Sequence, residues 1–293
     1  MLVAFLGFGL IGGSIARALG RTNGSPDLRL VAWTPSGAGP DRAVADGVLD
    51  AAARSLVEAV EGADLIVLAA PPLDCLALLE ELGGPGRSAL DPGATITDVA
   101  STKAAMVARA ATLGLPFVGG HPMAGRETAG YGAATGDLFV DRPWVVVKSE
   151  GATQRNVRAV EALAVACGAR PIEMEAATHD AAVAGTSHLP LILAAALVEA
   201  VVGANDGPDR TARPFVPELM AGGWRDMTRL ARGDIAMGTG IVVTNGPALA
   251  ARIRDLRAVL DGWLAELERP GGPDAAAVTD RLRAARDRLE RLR

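Results

Sequence analysis

Three glycines in fixed spacing, Gly7-Phe-Gly9-Leu-Ile-Gly12, and three histidines, His121, His179 and His188, hold most of the chemistry this sequence could perform. Glycines so spaced let a strand-to-helix turn receive a pyrophosphate. The first permits the tight turn, the second lets backbone approach the phosphates, and the third lets the helix pack close to the strand. The N–H groups at the start of the following helix complete an anion site. The context fits, because the apolar run 2–6 precedes the motif and a helical pattern through Ile15, Ala16 and Leu19 follows it. Leu10 and Ile11 at the helix opening, with Ala70 and Pro71 after a later apolar run, are expected to join the cofactor contacts. An NAD-specific turn places an acid about 20 residues further on to grip the ribose 2′-hydroxyl. Here the second run ends Trp33-Thr34-Pro35-Ser36-Gly37, and no acid stands between Asp27 and Asp41. Thr34 and Ser36 offer hydroxyl groups instead, with Arg42 close by, so NADP is expected to be accepted beside NAD, and to be favoured.

His121 opens the segment His121-Pro-Met-Ala-Gly125-Arg-Glu127, directly after an apolar run and the glycines Gly119 and Gly120. In doubly wound sheets ligands bind beyond the carboxyl ends of the strands, so His121 is expected beside a nicotinamide ring. A histidine has an ordinary pKa of about 6.5 and can act as a base near neutrality. For His179 the simpler expectation is a structural hydrogen bonder. No HExxH or other short His/Cys spacing occurs, so no metal site is expected.

The elements that must position these residues change character along the chain. Up to about residue 177, apolar runs at 2–6, 30–33, 64–70, 95–100, 116–120, 144–148 and 170–175 alternate with helical stretches. That pattern predicts a mostly parallel, doubly wound sheet covered on both faces, a Rossmann domain over 1–177. From about 178 to 293 the strands stop and Ala/Leu-rich segments follow, with breaks at 205–208, 222–223, 238–240 and 270–273. Leu249, Ile253, Leu256, Leu260, Trp263, Leu264 and Leu267 recur at threes and fours, as do Val278, Leu282, Leu289 and Leu292. An all-α second domain is the expectation, its apolar seams serving either an interface with another chain or packing on the protein's own core.

Composition narrows the classes. The 293 residues carry a formal charge of −5, so no global basic field is available for nucleic acid. Cys75 and Cys167 form no CxxC, which argues against a disulfide scaffold. The apolar start lacks a preceding Lys or Arg and is interrupted by glycines, unlike a signal peptide. The apolar stretch from Leu189 to Val202 contains Pro190 and Glu199 and reads as too short to cross a membrane. A soluble, cytoplasmic protein is expected.

Five motifs, in order, are similar to those of the prephenate/arogenate dehydrogenase family. They are the Gly7-to-Ser14 run, Asp98-Val-Ala-Ser101-Thr-Lys103, His121 through Glu127, His179-Asp180 through Ser187-His188-Leu-Pro, and Gly223-Trp-Arg225-Asp226-Met-Thr228-Arg229. The resemblance implies a Rossmann domain, a helical dimerisation domain and NAD(P)-dependent oxidative decarboxylation of a cyclohexadienyl substrate in the cleft between them. It implies that His121 is the catalytic base and that Ser101 orients it and borders the cofactor. It further implies that Arg229 holds a substrate carboxylate, that His188 and the adjacent Ser187 bind substrate, and that Glu127 is a charged lid. Gly238 stands where family members usually have Trp. That departure keeps 4-amino-4-deoxyprephenate open beside prephenate and arogenate. No room remains for the regulatory module some relatives carry, so tyrosine feedback would act at the active site. Two rivals stand beside this reading: a β-hydroxyacid dehydrogenase or imine reductase type of enzyme, and a non-enzymatic dinucleotide-binding protein. The first typically needs a lysine in the helical half, where this chain has none; its lysines are Lys103 and Lys148.

Overall fold

The computed structural model describes residues 1–22, 27–126, 128–203 and 216–292. The described strands are β1 (Leu2–Leu6), β2 (Arg29–Trp33), β3 (Ala51–Ala52), β4 (Leu65–Leu68), β5 (Thr95–Asp98), β6 (Phe117–Pro122), β7 (Pro143–Lys148) and β8 (Arg170–Glu173). They form one sheet in the order β3-β2-β1-β4-β5-β6-β7-β8, parallel throughout except where β7 pairs antiparallel with β6. Each apolar run becomes a strand, and the very short β3 is the addition. Two alanines inside a run of three carry no periodic signal; they pair at Val31 and Ala32 because the preceding helix delivers them to that edge. The reversal at β7 follows from its connection, in which the described residues form only a short 3₁₀ turn, Tyr131–Ala133, and no crossover helix.

Six helices accompany the strands: α1 (Leu10–Thr22), α2 (Ala38–Ala45), α3 (Leu56–Val60), α4 (Pro72–Gly83), α5 (Ala104–Thr112) and α6 (Gln154–Ala166). Successive β1 side chains alternate between the two faces, as strand geometry requires. Val3 and Phe5 join Ile15 and Leu19 of α1 and Val157 and Val160 of α6. Ala4 and Leu6 join Val60 of α3, Leu79 of α4 and Met106 of α5. Phe5, Leu6, Ile66 and Leu79 are fully buried, and each such side chain contributes roughly 1.5–3 kcal/mol by leaving water. Strand order reverses between β1 and β4, so the crevice at their carboxyl ends is the topological switch point where this architecture receives ligands.

Beyond β8 the described elements are helical: α7 (Ala176–Val183), α8 (Leu189–Val198), α9 (Val216–Leu219), α10 (Gly222–Thr228), α11 (Ile235–Thr244), α12 (Gly246–Leu267) and α13 (Ala275–Glu290). Wide π turns at Ala184–His188 and Glu199–Gly203 continue α7 and α8. The helical run Ala176–Val202 is therefore 27 residues long, with a window of mean hydropathy 1.8. It is long and apolar enough to cross a membrane, which corrects the length inferred from Leu189–Val202 alone. It also carries His179, Asp180 and His188, all buried and hydrogen-bonded. The expected break at 238–240 is absent, because α11 runs through it. A side chain on Gly240 would meet the Pro72 ring at 2.7 Å, so the glycine serves close packing of α11 on α4. The break expected at 205–208 lies outside the described residues.

The chain forms two compact units, Met1–Gly246 and Pro247–Arg293. In the second, Arg281 of α13 stacks 4.2 Å from the Trp263 ring centre of α12 and donates to the Val259 carbonyl. Leu260, Leu264, Leu267, Leu282 and Leu289 are exposed within it.

Candidate active site

The glycine-rich turn has the form a dinucleotide needs. Gly7 adopts φ +88°, and a Cβ there would lie 2.6 Å from the Ala69 carbonyl oxygen at the end of β4. Gly9 has open space where a side chain would be, leaving its backbone free for approach, while a Cβ on Gly12 would already be 3.1 Å from the Ala69 side chain. Leu10 and Ile11 are half-buried at the start of α1, whose first turn contains no acid. Ala70 and Pro71 are half-buried between β4 and α4, across the switch point. These residues fit a dinucleotide pyrophosphate at the N-terminus of α1. Thr34 and Ser36 lie in the turn after β2, where the Thr34 hydroxyl accepts from Gly37 N at 3.1 Å. Asp41 reaches back to the same turn, its carboxylate 3.4 Å from the position of a Gly37 Cβ. Sequence spacing did not reveal that approach.

His121 lies in the last part of β6, on the carboxyl side of the parallel sheet, and is buried. Gly120 before it is needed, since a Cβ there would stand 2.5 Å from the Asp98 carbonyl oxygen. Beneath it, the Asp98 carboxylate accepts from Gly120 N at 3.0 Å and Ala100 N at 3.1 Å, and pairs with the Lys103 ammonium. Both side chains of that ion pair are fully buried. Burial pushes the Asp98 carboxyl up, and Lys103 opposes that shift.

The helical run supplies His121 with its partner. Nδ1 of His121 lies 2.8 Å from Nε2 of His179, and Nδ1 of His179 lies 2.8 Å from the Asp180 carboxylate. Asp180 also accepts from Lys103 N at 2.8 Å and Ala104 N at 2.9 Å, which caps α5. Burial opposes ionisation of Asp180, yet the hydrogen bonds from His179 and these two amides hold its pKa below the usual carboxylate value. Burial, with Lys103 and the two neighbouring histidines, holds His121 well below its ordinary value, so it is neutral at pH 7. Burial also pulls His188 down to about 4, against the attraction of Asp180.

His188 follows His179 by nine residues, about two and a half turns of ideal α-helix, which would set them on opposite faces. The π turn Ala184–His188 changes that rotation, and such turns recur at functional sites. The side-chain nitrogen of Asn245 lies 3.0 Å from His188 Nδ1 and 2.9 Å from the Asp180 carbonyl oxygen. The preceding Thr244 meets the Thr102 hydroxyl at 2.7 Å, fastening α11 to the segment after β5.

The remaining candidates fall as follows. Ser101 is half-buried after β5, with its backbone close to His188, while the Nδ1 of His121 is taken by His179. Ser187 is exposed beside His188. Arg229 is exposed at the head of a turn, Arg229–Arg232, that packs on α8. Gly238 sits across from Leu191, one helical turn after His188, at 3.7 Å from a Cβ position. Glu127 lies outside the described residues. Sequence reasoning missed His179 as a partner of His121, although the adjacent His179-Asp180 pair was a usable signal, and it missed Asn245, which carries none.

A Rossmann sheet with a dinucleotide turn and a buried neutral histidine at the same sheet edge defines a nicotinamide-dependent oxidoreductase. Comparison with known proteins specifies the kind. The prephenate dehydrogenase nucleotide-binding domain matches residues 15–173, and the prephenate dehydrogenase dimerization domain matches residues 175–272. The chain belongs to the prephenate dehydrogenase family, and it is an NAD(P)-dependent enzyme. Prephenate dehydrogenase of Bacillus subtilis is 32% identical over 271 residues, covering 91% of this chain and 68% of that protein. Cyclohexadienyl dehydrogenase of Zymomonas mobilis is 30% identical over 270 residues, covering 91% and 86%. The crystal structure of Synechocystis arogenate dehydrogenase superposes with a TM-score of 0.77 at 30% identity, over 99% of this chain and 100% of that one.

Proposed function

We propose that this enzyme oxidatively decarboxylates prephenate or arogenate, giving 4-hydroxyphenylpyruvate or tyrosine, carbon dioxide and reduced coenzyme. The observation that carries the reading is the buried, neutral His121 at the sheet edge that also bears the dinucleotide turn. When bound, the nicotinamide ring supplies a hydride acceptor for the ring carbon bearing the hydroxyl. His121 takes the hydroxyl proton as that hydride leaves, since the alcohol becomes far more acidic as its carbon is oxidised. The bond from the opposite ring carbon to its carboxylate then breaks, carbon dioxide leaves, and its electron pair makes the ring aromatic. The oxygen, now a phenolate, regains the proton.

Gly7, Gly9, Leu10, Ile11 and Gly12 hold the pyrophosphate side of the coenzyme in this account, with Ala70, Pro71 and Ser101 bordering the nicotinamide. Arg229 clamps a substrate carboxylate, as guanidinium groups do through paired N–H donors. His188, Ser187 and Glu127 complete the substrate contacts, and the substrate-binding portion begins near residue 178. NADP is accepted, and favoured, because no carboxylate ends β2. Asp41 at the same turn is the group that would favour NAD. The exposed apolar side chains of the second unit form part of a homodimer interface, and the enzyme acts in the cytoplasm. The absence of a side chain at Gly238, which faces Leu191, favours including 4-amino-4-deoxyprephenate as a second substrate. Absorbance at 340 nm with NAD or NADP and each of the three dienyl acids tests the reading: turnover with at least one supports it, and none with any rejects it.

A further inference from the structure

Asp180 stands at the junction of two hydrogen-bond chains, and each chain leaves a different proton pattern on the histidine at its end. Its carboxylate, held by two backbone amides, can only accept, so His179 must donate from Nδ1. With the His179 proton placed on Nδ1, its Nε2 presents a lone pair, and His121 Nδ1 at 2.8 Å donates to it. His121 is left with a bare Nε2. The second chain starts from the backbone carbonyl of Asp180, which also can only accept. The Asn245 atom 2.9 Å from that carbonyl must therefore be its amide nitrogen, and the orientation of the amide is settled. The same nitrogen donates to His188 Nδ1 at 3.0 Å, so the proton of neutral His188 sits on Nε2. Among the described residues that buried Nε2 has no hydrogen-bond partner of normal geometry. The Ser101 backbone lies close to the ring and helps keep a proton on it, and a well-placed acceptor on a ligand would complete the bond.

We propose that Asp180, through His179, and Asn245 are positioning residues that fix the two site histidines in opposite tautomers, His121 with a bare Nε2 that accepts a proton and His188 with an Nε2–H that donates to substrate. This rests on the reading of His121 as the base, and it extends that reading to why the correct nitrogen is available. Once His121 takes a proton, its Nδ1–H remains on His179, and the Asp180 carboxylate faces the resulting positive charge. The other titratable groups around His121 are Lys103, tied to Asp98, and His188 itself.

With three histidines in the chain, nitrogen-15 NMR of the imidazole rings reads the tautomers directly, without turnover. At pH 7.5 the expected pattern is His121 and His179 protonated on Nδ1 and His188 on Nε2; His121 protonated on Nε2, or His188 on Nδ1, overturns the proposal. Two variants separate positioning from folding. In His179→Gln a side-chain carbonyl can still accept from His121, whereas His179→Leu cannot. The Leu variant is expected to lose about 10²- to 10⁴-fold in kcat, with KM and coenzyme affinity little changed, and the Gln variant to recover at least tenfold of that loss. Equal activity in the two, with coenzyme binding intact in both, contradicts a positioning role. If both fail to bind coenzyme, the NMR pattern of the unaltered protein decides. Asn245→Leu is expected to release His188 into a mixture of tautomers while His121 keeps its own; an unchanged His188 pattern rejects the part assigned to Asn245. If the dienyl acids prove not to be substrates, the tautomer pattern still stands or falls by itself.

Discussion

His121 and His179 meet through their ring nitrogens at 2.8 Å, one from the end of a sheet strand and the other from a helix that begins after the last strand. This contact joins the strand-borne and helix-borne parts of the candidate site, and in the proposed mechanism it orients the base.

Replacing the base should abolish chemistry and spare binding. His121→Asn is expected to lower kcat by about 10²- to 10⁴-fold, the usual contribution of a positioned acid or base. Coenzyme affinity, measured by fluorescence titration, should stay within a few fold. Activity near that of the unaltered enzyme would show that another group takes the proton.

The acid limb of the pH profile should lie low. The active form of His121 is neutral, and burial and Lys103 both disfavour its charged form. Catalytic efficiency therefore persists as pH falls through 6.5 and is lost only well below it. A kcat/KM profile that half-falls at or above 6.5 would contradict the buried setting.

Stability should follow the same direction. His188 titrates at about 4 when folded and at about 6.5 when unfolded. The unfolded chain thus binds more protons between these values, and stability is lost as pH drops from 6.5 toward 4. By pH 5 the loss from this residue alone is on the order of 2 kcal/mol. Urea denaturation at pH 7.5 and pH 5 measures it.

The Asp98–Lys103 pair should matter more when halved than when removed. Lys103→Met leaves a buried carboxylate uncompensated and is expected to cost about 3–5 kcal/mol. The double variant Asp98→Leu/Lys103→Met should cost less than the sum of the single changes. Additive losses would mean the two groups are not coupled.

Arg229→Ala should raise KM at least tenfold with a smaller change in kcat, as loss of a ground-state carboxylate contact does. A fall in kcat at constant KM would assign Arg229 to the transition state instead.

Much of this architecture was legible because parallel strands buried on both faces read as unbroken apolar runs, and β1 and β4 do so. The dinucleotide turn was legible because its glycines answer a local demand at Gly7 and Gly9. The partners of His121 were not. His179 and Asp180 lie 58 and 59 residues further along the chain, and they reach His121 only through how α7 docks against the sheet. Asn245 was silent for the same reason, since a lone asparagine after a helix reads as a cap. The helical run through His188 was underestimated because a π turn keeps a helix going where α-helical periodicity falters. Gly238 and Gly240 looked like a break, yet α11 runs through both, and Gly240 lets it lie close to Pro72.

The most direct test of the central claim is the stoichiometry of a single assay. Prephenate or arogenate is supplied with NAD or NADP, and reduced coenzyme at 340 nm is followed beside released carbon dioxide, for the unaltered enzyme and for His121→Asn. The account predicts one carbon dioxide per reduced coenzyme in the first and near-absence of both in the second. Reduced coenzyme without carbon dioxide, or equal rates in the two proteins, would contradict it.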